Sequence, residues 1–301
     1  MEQMSREEQA YLEAYDYKKY ERPSVAADMA VFSIMGMGSP ENYRKDPEKK
    51  LKLLLIRRGA FPYKDYWALP GGFCRPGEST QMTAKRELLE ETGVEKAYLK
   101  PFAVFDRPGR DPRGWIISHA FLALIDGGKY QVKGGSDAWE AQWFWIRCER
   151  QTMKKEIGKV GAEIEYIYKL EFICEELSQV QLQAVIREER HFQHDHETVE
   201  YEIVESKGLA FDHAWISLCA YLELQKEAGE TGRIVFDLMP EKFTLASLQR
   251  AYETIQGKEL LTANFRRKIT EYVTETDEMV EGVGHRPAKL YRRNLGGFYR
   301  E

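Results

Sequence analysis

Two hydrophobic periods alternate along this chain. Residues 24–35 (SVAADMAVFSIM) and 52–57 (KLLLIR) are apolar runs that predict strands, with a polar Gly-Ser-Pro-Glu-Asn loop between them. Residues 66–70 (YWALP) lead into a glycine pair, and a helix follows. Ser79 and Thr80 are side-chain caps, Gly93 is a C-terminal stop, and Ala84, Leu88 and Leu89 supply the apolar stripe. Segments 97–106, 115–125 and 140–146 predict further strands, so α and β elements are mixed. Residues 5–20 form a short charged helix candidate ended by Pro23.

Beyond Cys148 the pattern changes. Segments 166–174, 180–187 and 197–203 predict additional strands dense in charge, which fit either an extra hairpin layer or a dimerisation element. Residues 208–224 (GLAFDHAWISLCAYLEL) read as an amphipathic helix, and the polar, glycine-bearing stretch 226–233 is the best internal break. The expected domains are 1–238, with an expanded 148–206 segment, and 239–301. In the second, Phe243, Leu245, Leu248, Tyr252 and Ile255 fall at helical spacing between a Thr244 cap and Gly257. Thr262 is the expected cap of another helix, TANFRRKITEYV. Its Phe265, Ile269 and Tyr272 would face inward and Arg266, Arg267 and Lys268 outward. HRPAKLYRRN then predicts a basic strand without acids. Helix, turn, basic helix and basic wing is the layout of a winged helix-turn-helix, whose cations would meet double-stranded DNA through Arg266, Arg267, Lys268, His285, Arg286, Lys289 and Arg292.

Composition narrows the classes. At 301 residues two domains are expected, and a net charge of −5 confines any nucleic-acid role to a local patch. Four scattered cysteines without a C-x-x-C pair predict reduced thiols in a cytoplasmic protein. The N-terminus is charged throughout, which predicts no signal peptide, and no apolar run approaches the roughly 20 residues a bilayer requires. His191, His194 and His196 lie close in sequence but read as a polar hairpin tip rather than a metal site.

The densest chemistry lies at 72–94, GFCRPGESTQMTAKRELLEETGV. Glu87, Glu90 and Glu91 fall at i, i+3 and i+4 on one helix face, where like charges repel by several tenths of a kcal/mol per pair unless a cation neutralises them. Hard oxygen donors at that density suit Mg²⁺ or Mn²⁺, and Arg86 and Glu78 are placed to orient them. The stretch resembles the Nudix box, G-x5-E-x7-R-E-U-x-E-E-x-G-U with U aliphatic. Gly72, Glu78, Arg86, Glu87, Leu88, Glu90, Glu91, Gly93 and Val94 fill every defined position.

That resemblance implies an α+β fold, a Nudix α/β/α sandwich with a mixed sheet, followed by the winged helix-turn-helix. It also implies Glu87 and Glu91 as metal ligands with Glu90 assisting, the Gly71 carbonyl as a further ligand, and Arg86 orienting Glu87. A catalytic base is expected from a later loop, at Asp137 or Glu140. Arg57, Arg58, Arg110 and Arg113 are candidates to grip a diphosphate. The C-terminal FTLASLQRAYETIQGKELLTANFRRKI and GHRPAKLYR are similar to Nudix-related transcriptional regulators, which sense NAD-related metabolites such as ADP-ribose. The similarity extends through LLLIRRGAFPYKDYWALPGGF, DRPGRDPRGW and GLAFDHAWI. The leading expectation is a Mg²⁺-dependent pyrophosphohydrolase acting on an ADP-ribose-like substrate. The alternative is an ADP-ribose-responsive DNA-binding regulator, and by analogy with helix-turn-helix proteins a homodimer.

Overall fold

The computed structural model describes residues 4–36, 49–95, 97–127, 138–193, 196–230, 232–280 and 288–298. After an exposed helix α1 (Arg6–Ala14), the chain builds one large sheet from β1 (Ser24–Gly36), β2 (Lys49–Arg58), β3 (Trp67–Ala68), β4 (Gly71–Phe73), β5 (Tyr98–Phe105), β6 (Ile116–Leu124), β7 (Ala138–Ile157), β8 (Gly161–Ile173), β9 (Leu182–Gln193) and β10 (His196–Lys207). Helix α2 (Thr80–Thr92) lies between β4 and β5, and α3 (His213–Glu230) follows β10. The strand order is β10-β9-β8-β7-β2-β1-β6-β5, with β3 on β2 and β4 on β1. β1 and β6 run parallel; the other pairs are antiparallel, so the sheet is mixed as expected.

Period-2 geometry explains the uninterrupted apolar runs. Alternate residues of β1 and β2 point to opposite faces. Ala30, Phe32, Leu53 and Leu55 join one buried cluster with α3 residues such as Ile216 and Leu224. Met29, Val31, Leu54 and Ile56 join another with Ala84 and Leu88 of α2. Strands covered on both faces need apolar residues at every position, which is why β1 and β2 show no polar alternation.

The charged segment after Cys148 continues this same sheet. β7 runs on to Ile157, well past the expected end at 146, and β8, β9 and β10 add to it antiparallel. Tyr168, Leu170, Phe172, Leu182, Ala184 and Ile186 are buried on the α3 side, and alternate residues of β8 and β9 lie nearer solvent. The charge density of this segment is therefore the solvated half of an alternating pattern.

At the C-terminal end come a 3₁₀ turn (Arg233–Leu238), α4 (Leu245–Gln256), α5 (Thr262–Ile269), β11 (Val273–Val280), β12 (Ala288–Arg293) and a short α6 (Leu295–Phe298). Thr244 caps α4 through a reciprocal capping box with Ser247, and Gly257 closes it at φ +64°. Two expectations change here. Leu261, without a side-chain cap bond, occupies the N-cap of α5 in place of Thr262. The helix also ends at Ile269, because a 3₁₀ turn (Thr270–Tyr272) hands the chain to β11, the wing strand that pairs with β12. Among the described residues no helix is long and apolar enough to cross a membrane.

Candidate functional site

The Ser79 hydroxyl accepts the Met82 N–H at 3.2 Å and starts α2; Gly93, at φ +73°, ends it. Thr83, Ala84, Leu88 and Thr92 are its buried face. Leu89, expected in the apolar stripe, is 48% exposed. The remaining face carries the glutamates, and Arg86 braces them. Its guanidinium donates to Glu78 at 2.7 and 3.0 Å, to Glu87 at 2.5 Å, to Glu90 at 3.2 Å and to the Phe73 carbonyl at 3.2 Å. Glu78 also accepts the Arg75 N–H and the Thr83 hydroxyl. The Arg86 bonds first, and then the Arg75 N–H, pull the Glu78 carboxyl down to about 2. In return, the Glu78 hydrogen bond holds Arg86 above its ordinary value.

Both glycines at 71–72 are steric requirements. A Cβ on Gly72 would lie 2.2 Å from Glu87 Oε1, and one on Gly71 would lie 2.4 Å from the Ala27 carbonyl and 2.6 Å from Asp28 Oδ1. The Gly71 N–H donates to Glu91 Oε2 at 2.9 Å. Strand β4 thus docks against α2 by backbone contact that no side chain could share.

A cavity of about 570 Å³ opens beside this contact. Glu87, Glu91, Gly71 and Gly72 line it, as do Arg58, Arg113 and Phe211. The Arg113 guanidinium lies 4.9 Å from the Phe73 ring centre and 5.1 Å from that of Phe211, and the Arg58 guanidinium lies 4.8 Å from Phe211. Asp111, 4% exposed, fixes Arg113 by side-chain bonds of 2.7 to 3.2 Å. Burial raises the Asp111 carboxyl, but the Arg113 bonds outweigh it and leave it below its ordinary value. Burial and then the positive charge of Arg113 lower the Arg58 guanidinium. Two cations crowd one aromatic ring. Phe211 sits at φ +52°, in the left-handed region a phenylalanine rarely adopts.

Deeper polar residues complete the lining. Asp28 accepts the Ser118 hydroxyl; Arg110 donates to both Asp212 oxygens at 2.8 and 2.7 Å and lies 3.8 Å from Asp28. His213 Nδ1 accepts the Leu69 N–H at 2.9 Å, and burial holds its pKa below the ordinary value.

The structure thus gathers Gly71, Arg58, Arg110, Arg113, Glu87 and Glu91 around one cavity. It places others elsewhere. Arg57 pairs with Asp65 at 3.2 Å on an exposed edge. Glu90 is half exposed and reaches Arg75 and Arg86. Glu140 sits on β7 opposite Arg57 of β2 and accepts from Gln142. Asp137, His285 and Arg286 lie outside the described residues. Among the described residues no three histidine, cysteine or acidic side chains gather closely enough to hold a metal ion. Asp28, Asp111, Phe211 and His213 were not singled out by sequence. The lone acid inside the apolar 24–35 run was the available signal for Asp28.

In the C-terminal part, Arg266, Arg267 and Lys268 are exposed in the last turn of α5, and Arg292 is exposed on β12. Lys289 pairs with Glu275 of β11, so part of the wing charge is balanced by the strand that the sequence reading missed. Arg293, buried deeper, pairs with Asp237 at 2.7 Å.

Comparisons with known proteins follow this division. Residues 43–163 match the NUDIX domain, and residues 235–293 match the NrtR DNA-binding winged helix domain. The chain is 32% identical, over 95% of its length and 88% of the relative's, to the ADPR responsive transcriptional repressor NtrR of Acinetobacter baylyi. It is 38% identical, over 42% of its length and 65% of the relative's, to an ADP-ribose pyrophosphatase of Methanocaldococcus jannaschii. A MutT/nudix family protein of Enterococcus faecalis superposes with a TM-score of 0.63 at 25% identity, over 97% of this chain and all of that one. Shewanella oneidensis NrtR, crystallised with a 27mer DNA, shares the fold with a TM-score of 0.59 at 22% identity, over 91% and 94% of the two chains. A Nudix domain and an NrtR winged helix in one chain, matched almost end to end by such a relative, place this protein in the family of Nudix-related transcriptional regulators.

Proposed function

We propose that the protein is a transcriptional regulator whose Nudix cavity binds ADP-ribose and whose winged helix binds double-stranded DNA. The observation that carries this reading is the 95% coverage by a relative named as an ADPR-responsive repressor, which spans cavity and winged helix together. The pyrophosphatase relative covers 42% of the chain, too little to span cavity and winged helix together. The comparisons therefore favour the regulator over the hydrolase that led the expectations from sequence.

The cavity supports an anionic ligand. Arg58 and Arg113 crowd Phe211 at a mutual electrostatic cost that a diphosphate would relieve. The aromatic rings give a flat group, such as an adenine, a surface to stack on. On α5, the exposed Arg266, Arg267 and Lys268 would meet DNA, with Lys289 and Arg292 of the wing contacting phosphates.

A second reading, hydrolysis of the same ligand, is favoured by the unbroken glutamate block. Glu87 and Glu91, one turn apart beside Gly71, fit a hydrated Mg²⁺ that keeps several waters, with Glu90 outside the set. A cation held there would neutralise phosphoryl oxygens and lower the barrier to attack by water. Arg86 then keeps Glu87 oriented. Glu140 lies outside the cavity lining, so a base role would require movement of β7.

One experiment separates the readings. ADP-ribose is titrated calorimetrically into the full chain with Mg²⁺, and the mixture is analysed for AMP and ribose phosphate. Binding without turnover, with release of bound DNA, supports the regulator; sustained product supports the hydrolase. No heat and no product refutes both.

A further inference from the structure

Two joints on α3 connect the cavity to the winged helix. At its N-terminal end, Asp212 begins the helix, its carbonyl accepting from Trp215 at 2.9 Å and Ile216 at 3.1 Å. The Asp212 carboxylate is clamped by both Arg110 bonds, and the Arg110 side chain is 4% exposed. His213, next in sequence, is tied to Leu69 by its ring nitrogen. Arg110, Leu69 and His213 all line the cavity.

Thirteen residues further along, about 20 Å away at 1.5 Å per residue, α3 is bolted to α4. Gln225 Nε2 donates to the Ile255 carbonyl at 2.9 Å, and Gln256 Nε2 donates back to the Gln225 carbonyl at 3.4 Å. Just past the helix, the Gly232 carbonyl accepts the Tyr252 hydroxyl at 2.5 Å. α4 packs on α5 through the Tyr252–Phe265 ring contact, 5.4 Å between centres.

We propose that α3 transmits cavity occupancy to the winged helix, and that Arg110 is the sensing residue. The inference rests on the anionic-ligand reading of the cavity. One buried guanidinium serves two carboxylates, Asp212 at bonding distance and Asp28 at 3.8 Å. Phosphoryl oxygens entering the cavity add a competing anion. As Arg110 turns to them, Asp212 loses its clamp and the start of α3 shifts. A packed helix moves as a unit rather than deforming continuously, so the shift arrives at Gln225 and is passed to α4. Buried ionic groups of this kind contribute little net stability compared with apolar packing, and a switch is one of their uses.

Hydrogen exchange of the full chain, with and without ADP-ribose, tests the link alongside calorimetry. In the parent, ligand changes exchange both at residues 212–218 and at residues 245–256. Gln225→Leu keeps the calorimetric affinity and the response at 212–218 but loses most of the response at 245–256. With DNA enriched by the full chain from a random pool, the parent's ligand-induced loss of affinity, on the order of 5–150-fold for an allosteric coupling, falls below threefold in that variant. Asp212→Asn weakens the resident clamp, so ADP-ribose binds more tightly. An equal response at α4 in Gln225→Leu overturns the link, as does a parent that binds ligand without any change at α4. A parent that gives no heat with ADP-ribose refutes the ligand reading itself, and the link with it.

Discussion

Replacing Gly72 by alanine tests how the Nudix glutamates are positioned. The added Cβ would sit 2.2 Å from Glu87 Oε1 and 2.4 Å from its Cδ, where ordinary contact begins near 3.4 Å. The carboxylate must retreat by about 1 Å. It cannot do so freely, because Arg86 holds it at 2.5 Å and Glu78 holds Arg86 with two bonds. Overpacking of this kind costs about 1–3 kcal/mol, which lowers the melting temperature by roughly 2–4 °C per kcal/mol at this chain size. The same displacement moves Glu87 in the cavity, so the proposed binding of ADP-ribose, measured in Mg²⁺, weakens along with the fold. Gly158→Ala is the control, since its Cβ meets nothing closer than 3.5 Å at an unstrained φ. The assays are a thermal melt followed by circular dichroism and a calorimetric titration in Mg²⁺. A Gly72→Ala protein with the parent's melting temperature and affinity would refute the steric argument.

Three further outcomes follow from the same geometry. Arg58→Ala removes one of the two cations at Phe211 and weakens ADP-ribose binding roughly 10–100-fold, as expected for loss of a charge-assisted bond worth about 1.5–3 kcal/mol; unchanged affinity removes Arg58 from the site. Burial lowers the His213 pKa in the folded chain, so as pH falls through about 6.5 the unfolded chain takes up that proton first. Stability therefore falls with decreasing pH, at up to about 1.4 kcal/mol per unit from this residue. Urea melts of His213→Gln should show a shallower loss between pH 6.5 and 5, and an unchanged slope would contradict this assignment. Arg267→Ala should lower the slope of log affinity against log salt for DNA by about 0.9 if it contacts one phosphate; a parent-like slope places α5's exposed basic face off the DNA.

Much of the architecture was written in local pattern. The capping residues Ser79 and Thr244 and the stops Gly93 and Gly257 act within a few residues of themselves, and they bounded α2 and α4 as read. The apolar runs at 24–35 and 52–57 marked strands buried on both faces. The ends of less polarised elements were harder to read. α5 lacks a side-chain cap and stops one 3₁₀ turn before β11, because pairing with β12 overrides a helical pattern that continued through TEYV. β7 ran past its expected end because β8 supplied a partner for it.

At the cavity the division is sharper. Fixed spacing on one helix put Glu87, Glu90 and Glu91 on a common face, and that much was determined by the order of residues alone. Which arginines join them was decided by topology. Arg57 and Arg58 are adjacent in sequence, yet strand alternation sends one to a surface pair with Asp65 and the other to Phe211. Arg110, read as a ligand contact, does line the cavity, but what holds it there is Asp212, 102 positions further along. Asp28, Asp111, Phe211 and His213 acquire their places only when β1, the loop after β5 and the start of α3 converge. Helical and strand periods are local properties that a sequence carries in itself. The pairing of charges across long separations depends on chain closure, and only the folded chain fixes it.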